Sequence, residues 1–236
     1  MNYKQIAELI RKSRKKTPAQ VWLQGSFREE DFRAEEFQAF GQGRFWVLIG
    51  DYAAMEPWLK RNRARIKDSH LELTARYSAL PLLDLRKIKA RVEPGAVIRQ
   101  GARVGRDCVI MMGAVINIGA RVGERTMVDM NAVLGARAVI GKNCHIGAGA
   151  VIAGVLEPPS RKPVVIEDEV LVGANAVVLE GVRVGRGSVV AAGAVVVRNV
   201  GRGAVVAGVP AKKIKDVKDI RAKDKISIVE ILRGVK

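Results

Sequence analysis

From Val92 onward the sequence repeats every six residues, and this period limits the possible folds more than any other feature of the chain. Val92, Ile98, Val104, Ile110, Ile116, Val122, Val128, Leu134, Ile140, Ile146 and Ile152 are all aliphatic, and the series resumes at Ile166 through Val172, Val178, Val184, Val190 and Val196. Four residues after each aliphatic the side chain is usually small, as at Ala102, Cys108, Ala114, Ala120, Ala132, Cys144, Ala176 and Ser188. A helical period of about 3.6 residues cannot produce this pattern. One large β-branched residue and one small residue per hexad describe a short strand followed by a tight corner. Three hexads close a triangular coil of 18 residues, and the 17 hexads stack into about six coils of a parallel β-helix.

The beat breaks once. Ile152 to Ile166 spans 14 residues, one hexad plus eight. The spacing therefore predicts a loop at 158–165, around PPSRKP, extruded at a corner, where its prolines keep it out of the sheets. A solenoid tolerates such a loop without using it. The functional alternative is a loop that reaches a neighbouring subunit and walls a site.

Residues 1–88 lack the beat and hold all three tryptophans. NYKQIAELIRK has amphipathic helical spacing ended by Thr17-Pro18, VWLQGSF and RFWVLIG read as strands, and a second helix is expected from Met55 to Tyr77. This is a small α+β domain, expected to cap the first coil, whose edge would otherwise be unpaired. The repeat domain spans 89–210 and is closed by Pro210. Residues 211–236 read as a basic helical tail with Lys212 and Lys213 at its root.

Lysine and arginine outnumber acids 41 to 24, a net charge of +17 that directs attention to anionic partners. Nucleic acid is not among them, because aromatics make up only 5% and no helix-turn-helix or zinc-finger spacing occurs. No apolar run has the length of a membrane helix and the N-terminus lacks a secretory pattern, so a cytoplasmic protein is expected. Cys108 and Cys144 take the small inward positions of hexads two coils apart, which predicts core residues without a disulfide. His145 is the single histidine of the repeat and cannot supply a zinc ligand set, so no metal is expected. It points outward, and since Val128 precedes Ile146 by 18 residues, Asp129 and His145 should share one face on adjacent coils. Glu180 falls at the corner that roots the extruded loop, one coil further along. By spacing alone both carboxylates could be ordinary exposed acids.

The segment TMVDMNAVLGARAVIGKNCHIGAGAVIAGVLEPPSRKPVVIEDEVLVGANAVVLEGV resembles the tetrahydrodipicolinate N-acyltransferases of the diaminopimelate route to lysine. The likeness continues upstream through SALPLLDLRKIKARVEPGAVIR into the N-terminal domain, where it is similar to the acetyl-transferring branch. That resemblance implies a left-handed β-helix, a homotrimer with sites between subunits, and acetyl-CoA as co-substrate. In the succinyl branch, motifs resembling MVDMN and VLEG hold the acids implicated in catalysis, which correspond here to Asp129 and Glu180. Arg125 stands where the family more often shows glycine. The expected chemistry is transfer of an acetyl group to the amino nitrogen of tetrahydrodipicolinate, with Asp129 as base and Glu180 assisting from a neighbouring chain. No cysteine or serine sits beside a base, so direct transfer in a ternary complex follows. Gly173, Ala174, Ala192 and Gly193 are expected along the pantetheine path, Lys212 and Lys213 at the CoA phosphates, and Arg99, Arg121 and His145 at the acceptor. The alternatives are the succinyl-CoA version of this reaction, an amino-sugar or serine acceptor with His145 as base, and a solenoid without catalysis.

Overall fold

The computed structural model describes residues 3–155 and 162–219 and divides the chain into two compact units, Lys12–Leu80 and the solenoid from Pro81 onward together with residues 1–11. The first helix, α1 (Tyr3–Lys12), therefore groups with the solenoid rather than with the α+β domain that the sequence boundary at 88 assigned it to. The cause is local: Ile6 is fully buried, and a Cβ placed on Gly119 in a solenoid corner would come within 2.9 Å of Ile6 Cδ1.

The second unit is an antiparallel sheet of β1 (Pro18–Gly25), β2 (Gln38–Gln42), β3 (Phe45–Asp51) and β4 (Ile66–Leu73) in the order β2-β3-β1-β4, with one helix, α2 (Tyr52–Arg61), after β3. Strict alternation along β1 turns Ala19, Val21 and Leu23 inward, where they pack with Trp46, Leu48, Met55, Trp58 and three phenylalanines. Asp51 caps α2 by accepting the Ala53 N–H at 3.4 Å. The helix expected to run from Met55 to Tyr77 stops at Arg61, and its second half is β4 instead. Pairing of β4 along the whole of β1, from Leu73 opposite Ala19 to Asp68 opposite Gln24, supplies the hydrogen bonds that override its local helical character.

In the solenoid every aliphatic of the six-residue series ends a two-residue strand, and the strands stack in parallel into three faces. The first face carries Arg91–Val92, Val109–Ile110, Met127–Val128, His145–Ile146, Leu171–Val172 and Val189–Val190. The second carries Val97–Ile98, Val115–Ile116, Val133–Leu134, Val151–Ile152, Val177–Val178 and Val195–Val196, and the third Arg103–Val104, Arg121–Val122, Val139–Ile140, Val165–Ile166 and Arg183–Val184. Burying about six coils of Ile, Val and Leu at near-zero exposure forms one continuous core, to which each buried aliphatic contributes roughly 1.5–3 kcal/mol. Polar atoms that enter this core are satisfied: Thr126 Oγ1 donates to Gly141 O at 2.8 Å and accepts the Cys144 N–H at 3.1 Å.

The corners turn through a left-handed residue three places after the aliphatic, as at Gly113, Asn131, Gly149 and Asn175. Arg125, which replaces the more usual glycine, takes the same conformation with φ 55°, and its Nε donates to Asn143 Oδ1 at 2.9 Å one coil on. The turn survives the substitution at the cost of a conformation that favours glycine.

Two boundaries differ from expectation. Residues 156–161 lie outside the described residues, so the loop at 158–165 is followed only from Lys162, and Val164, fully buried, and Val165, on the third face, already belong to the solenoid. At the other end the chain does not enter a helix after Pro210. Lys212–Asp216 form a strand antiparallel to Ala204–Ala207, which pairs with Val189–Val190, so both extend the first face. An antiparallel strand satisfies the edge that a helix would leave open. The rest of the tail, 220–236, lies outside the described residues.

Candidate active site

The corner that follows the first face collects most of the predicted site. Met127 pairs with His145 and Val128 with Ile146, so Asp129 and His145 meet on adjacent coils as the 18-residue phase requires. His145 Nε2 lies 3.5 Å from Asp129 Oδ2, and the second carboxylate oxygen, Oδ1, accepts the Met130 N–H at 2.8 Å. The two side chains are only partly open, 17% for Asp129 and 29% for His145. A carboxylate held at both oxygens, half screened from water, can take a proton from an amine that approaches its open edge.

From Asp129 the same corner continues through residues with almost no side chain. Successive coils place Gly147-Ala148, Gly173-Ala174 and Ala191-Ala192 in register with Asp129-Met130. Ala174, Ala192 and Gly193 are exposed. Gly147, Gly173 and Ala191 donate their N–H groups to the next coil. Those of Ala148, Ala174 and Ala192 meet no acceptor among the described residues. A row of such unpaired N–H groups beside small side chains can hydrogen-bond the amides of an extended ligand or an oxyanion. The row ends near Lys212 and Lys213, which stand opposite Ala207 and Val206. Five strand steps of ~4.8 Å put these cations about 24 Å from Asp129. Lys213 Nζ reaches Asp216 at 2.8 Å, and both lysines are exposed.

The other predicted residues are not part of this corner in a single chain. Glu180 follows Val178 on the second face, at the corner that also roots the extruded loop, since Val151-Ile152 pairs with Val177-Val178. Arg99 lies at that second corner at the opposite end of the solenoid, bridged to Leu82. Arg121 stands outward on the third face directly beside Arg103. The residues that spacing reasoning passed over are Gly147 and Ala148, the coil between Asp129 and Gly173, and Met112, which Asn131 contacts through a 3.0 Å backbone hydrogen bond. All three follow from counting 18 residues in either direction from Asp129-Met130.

The cysteines are core residues, as expected. Both are fully buried, and burial pushes the Cys144 thiol up to about 11 and raises that of Cys108. A thiol held neutral in this way is not a nucleophile.

Comparison with known proteins agrees with both halves of the chain. The tetrahydrodipicolinate succinyltransferase N-terminal family matches residues 1–85, the bacterial transferase hexapeptide family matches 119–154, and the hexapeptide repeat of succinyl-transferase matches 95–118 and 163–198. The chain is 61% identical over 235 residues to the 2,3,4,5-tetrahydropyridine-2,6-dicarboxylate N-acetyltransferase of Thermotoga sp. (strain RQ2), covering all of both chains. It is 54% identical to the enzyme of that name from Bacillus licheniformis, over 99% of this chain and 98% of the relative. A solved structure of a perosamine N-acetyltransferase variant from Caulobacter crescentus, in complex with CoA and GDP-perosamine, matches 55% of this chain and 58% of its own at 29% identity and a TM-score of 0.50. Full-length identity to several such enzymes, carried on the hexad solenoid and its N-terminal domain, places this chain in the tetrahydrodipicolinate N-acetyltransferase family.

Proposed function

We propose that the protein transfers the acetyl group of acetyl-CoA to the amino nitrogen of tetrahydrodipicolinate that has taken up water and opened its ring, giving N-acetyl-2-amino-6-oxopimelate and free CoA on the way to diaminopimelate and lysine. The observation that carries this reading is the first-face corner, where a partly buried acid opens onto a row of unpaired backbone N–H groups that ends in two lysines. The acetyl donor lies along Gly173, Ala174, Ala192 and Gly193, with its phosphates toward Lys212 and Lys213. Asp129 takes the proton of the attacking amine as the C–N bond forms, an unpaired N–H such as that of Ala148 or Ala174 holds the oxyanion, and the C–S bond then breaks to release the thiol. His145 faces Asp129 Oδ2 and keeps the carboxylate turned toward the acceptor.

One chain leaves this groove open on one side, and a homotrimer completes it. Support for that assembly comes from the second face, whose outward positions are Val97, Val115, Val133, Val151, Val177 and Val195. A sheet face of six valines is an association surface. A neighbour docked there brings its Glu180 corner, with the root of the extruded loop, toward Asp129, and Glu180 then assists proton transfer. Arg99 and Arg121 contribute to the acceptor's carboxylates only from such a neighbour. An enzyme of this pathway works in the cytoplasm beside its acetyl-CoA supply.

The matched N-terminal family and one of the hexapeptide families are named for a succinyltransferase, whereas the full-length relatives are named for acetyl transfer. Full-length likeness is the better guide, because it compares every residue of the chain at 61% identity rather than the general pattern of a repeat. The amino-sugar enzyme from Caulobacter covers 55% of the chain, so it bears on the solenoid chemistry more than on the acceptor. Mass spectrometry of the product tests the reading. An amino-oxopimelate acetylated on nitrogen is expected, and acetylation on oxygen or on an amino-sugar alone would overturn it.

A further inference from the structure

The first-face corner changes character at Asp129. On its C-terminal side the coils present glycine and alanine, while on its N-terminal side the next coil presents Met111-Met112. Four of the six methionines in the chain surround the acid: Met111 and Met112 one coil before it, Met127 on its own strand, and Met130 beside it. In-register pairing of Met127-Val128 with Val109-Ile110 stacks Asp129 over Met111 and Met130 over Met112. Met127 is buried against Val109 and Met111. Met112 and Met130 are 43% and 38% exposed, two long thioether chains left open beside the acid.

The lysines and the small residues fix a direction along this corner. A donor whose phosphates lie at Lys212 and Lys213 brings its thioester toward Asp129, and anything that extends past the acyl carbon meets the methionines. A methyl group packs well against polarizable thioethers. A chain ending in a carboxylate would set an anion against these thioethers and close to the Asp129 carboxylate. The guanidinium of Arg91, one coil beyond, pairs through Nε with Glu93 at 2.8 Å and turns Nη2 to Met111 Sδ at 3.6 Å, beneath Met111 rather than beside the open Met112 and Met130. The geometry points to Met112 and Met130 as the end wall of the acyl subsite, the feature that selects acetyl over longer and carboxylated acyl groups. This assignment rests on the acyl-transfer reading above.

The test is the ratio of kcat/KM for propionyl-CoA and succinyl-CoA to that for acetyl-CoA, at fixed tetrahydrodipicolinate, in the parent, Met112→Ala, Met130→Ala, the double variant and Met130→Leu. Removing the wall raises the propionyl-to-acetyl ratio about tenfold or more, the usual scale of discrimination for one methylene. Met130→Leu keeps a similar apolar volume and retains the parent ratio. Unreactive S-ethyl- and S-propyl-CoA thioethers give the same comparison on the parent without mutation, with the longer chain expected to inhibit more weakly. An unmoved ratio in the double variant, or a parent that prefers succinyl-CoA, would overturn the wall while leaving acyl transfer standing. A parent that releases thiol from none of the three donors would overturn the reading of function itself.

Discussion

His145 Nε2 stands 3.5 Å from Asp129 Oδ2 across two adjacent strands of the first face, while Asp129 Oδ1 is held by the Met130 N–H. This arrangement gives the two residues unequal parts. Asp129→Asn keeps the shape and both neighbours but removes the base, and should lower kcat by about 10²–10⁴. His145→Gln loses one hydrogen bond to a charged group and should cost about tenfold. Steady-state kinetics of the two variants, with far-UV circular dichroism to check folding, decides the ranking. A larger loss at His145 than at Asp129 would move the base to the histidine.

Lys212 and Lys213 stand five strand steps from Asp129 and contact no group placed in the reaction. Replacing both with alanine should raise the KM for acetyl-CoA about tenfold and leave the KM for the acceptor and kcat nearly unchanged, the signature of lost uniform binding. A change in acceptor KM with acetyl-CoA binding unaltered would place the lysines elsewhere.

Thr126 serves two buried backbone groups, Gly141 O and Cys144 N. Thr126→Val preserves shape and strands both, which should destabilise the solenoid by roughly 1–3 kcal/mol. Tryptophans 22, 46 and 58 all lie in the N-terminal unit. Denaturation followed by circular dichroism should therefore shift while the tryptophan fluorescence transition stays in place.

The N-terminal unit carries its own pH dependence. The Arg65 guanidinium grips Asp31 through bonds of 2.9 and 2.7 Å, and with the Arg28 N–H it lowers the Asp31 carboxyl to about 2. A depressed carboxyl contributes stability that is present above its unfolded value near 4 and is lost as pH falls toward 2. Tryptophan-monitored denaturation between pH 5 and pH 2, in the parent and Asp31→Asn, checks this. The parent should lose stability across that window by more than the variant does.

How much of this was legible in the sequence depends on whether a feature obeys the 18-residue phase. Val92 to Val196 all occupy the inward positions their spacing assigns, and the meeting of Asp129 with His145 follows from the same count. Arg121 obeys the same count, which pairs it with Arg103 on the third face and away from Asp129, so its basic charge points to the acceptor where its phase does not. Residues 66–73 and 212–216 carry no period of their own. Each becomes a strand because an existing edge, β1 or Ala204–Ala207, offers it hydrogen bonds, a tertiary cause invisible in local pattern. The same count puts Glu180 at the second-face corner, and the proposal that it assists Asp129 needs a second chain, which no spacing within one chain can supply.

The central claim is acetyl transfer that depends on both substrates and on Asp129. Thiol release by the purified protein, measured with tetrahydrodipicolinate and acetyl-CoA together and with each omitted, tests it most directly. The account predicts release only when both are present, and its near-complete loss in Asp129→Asn. Release of thiol from acetyl-CoA without the acceptor, or an undiminished rate in the variant, would contradict it.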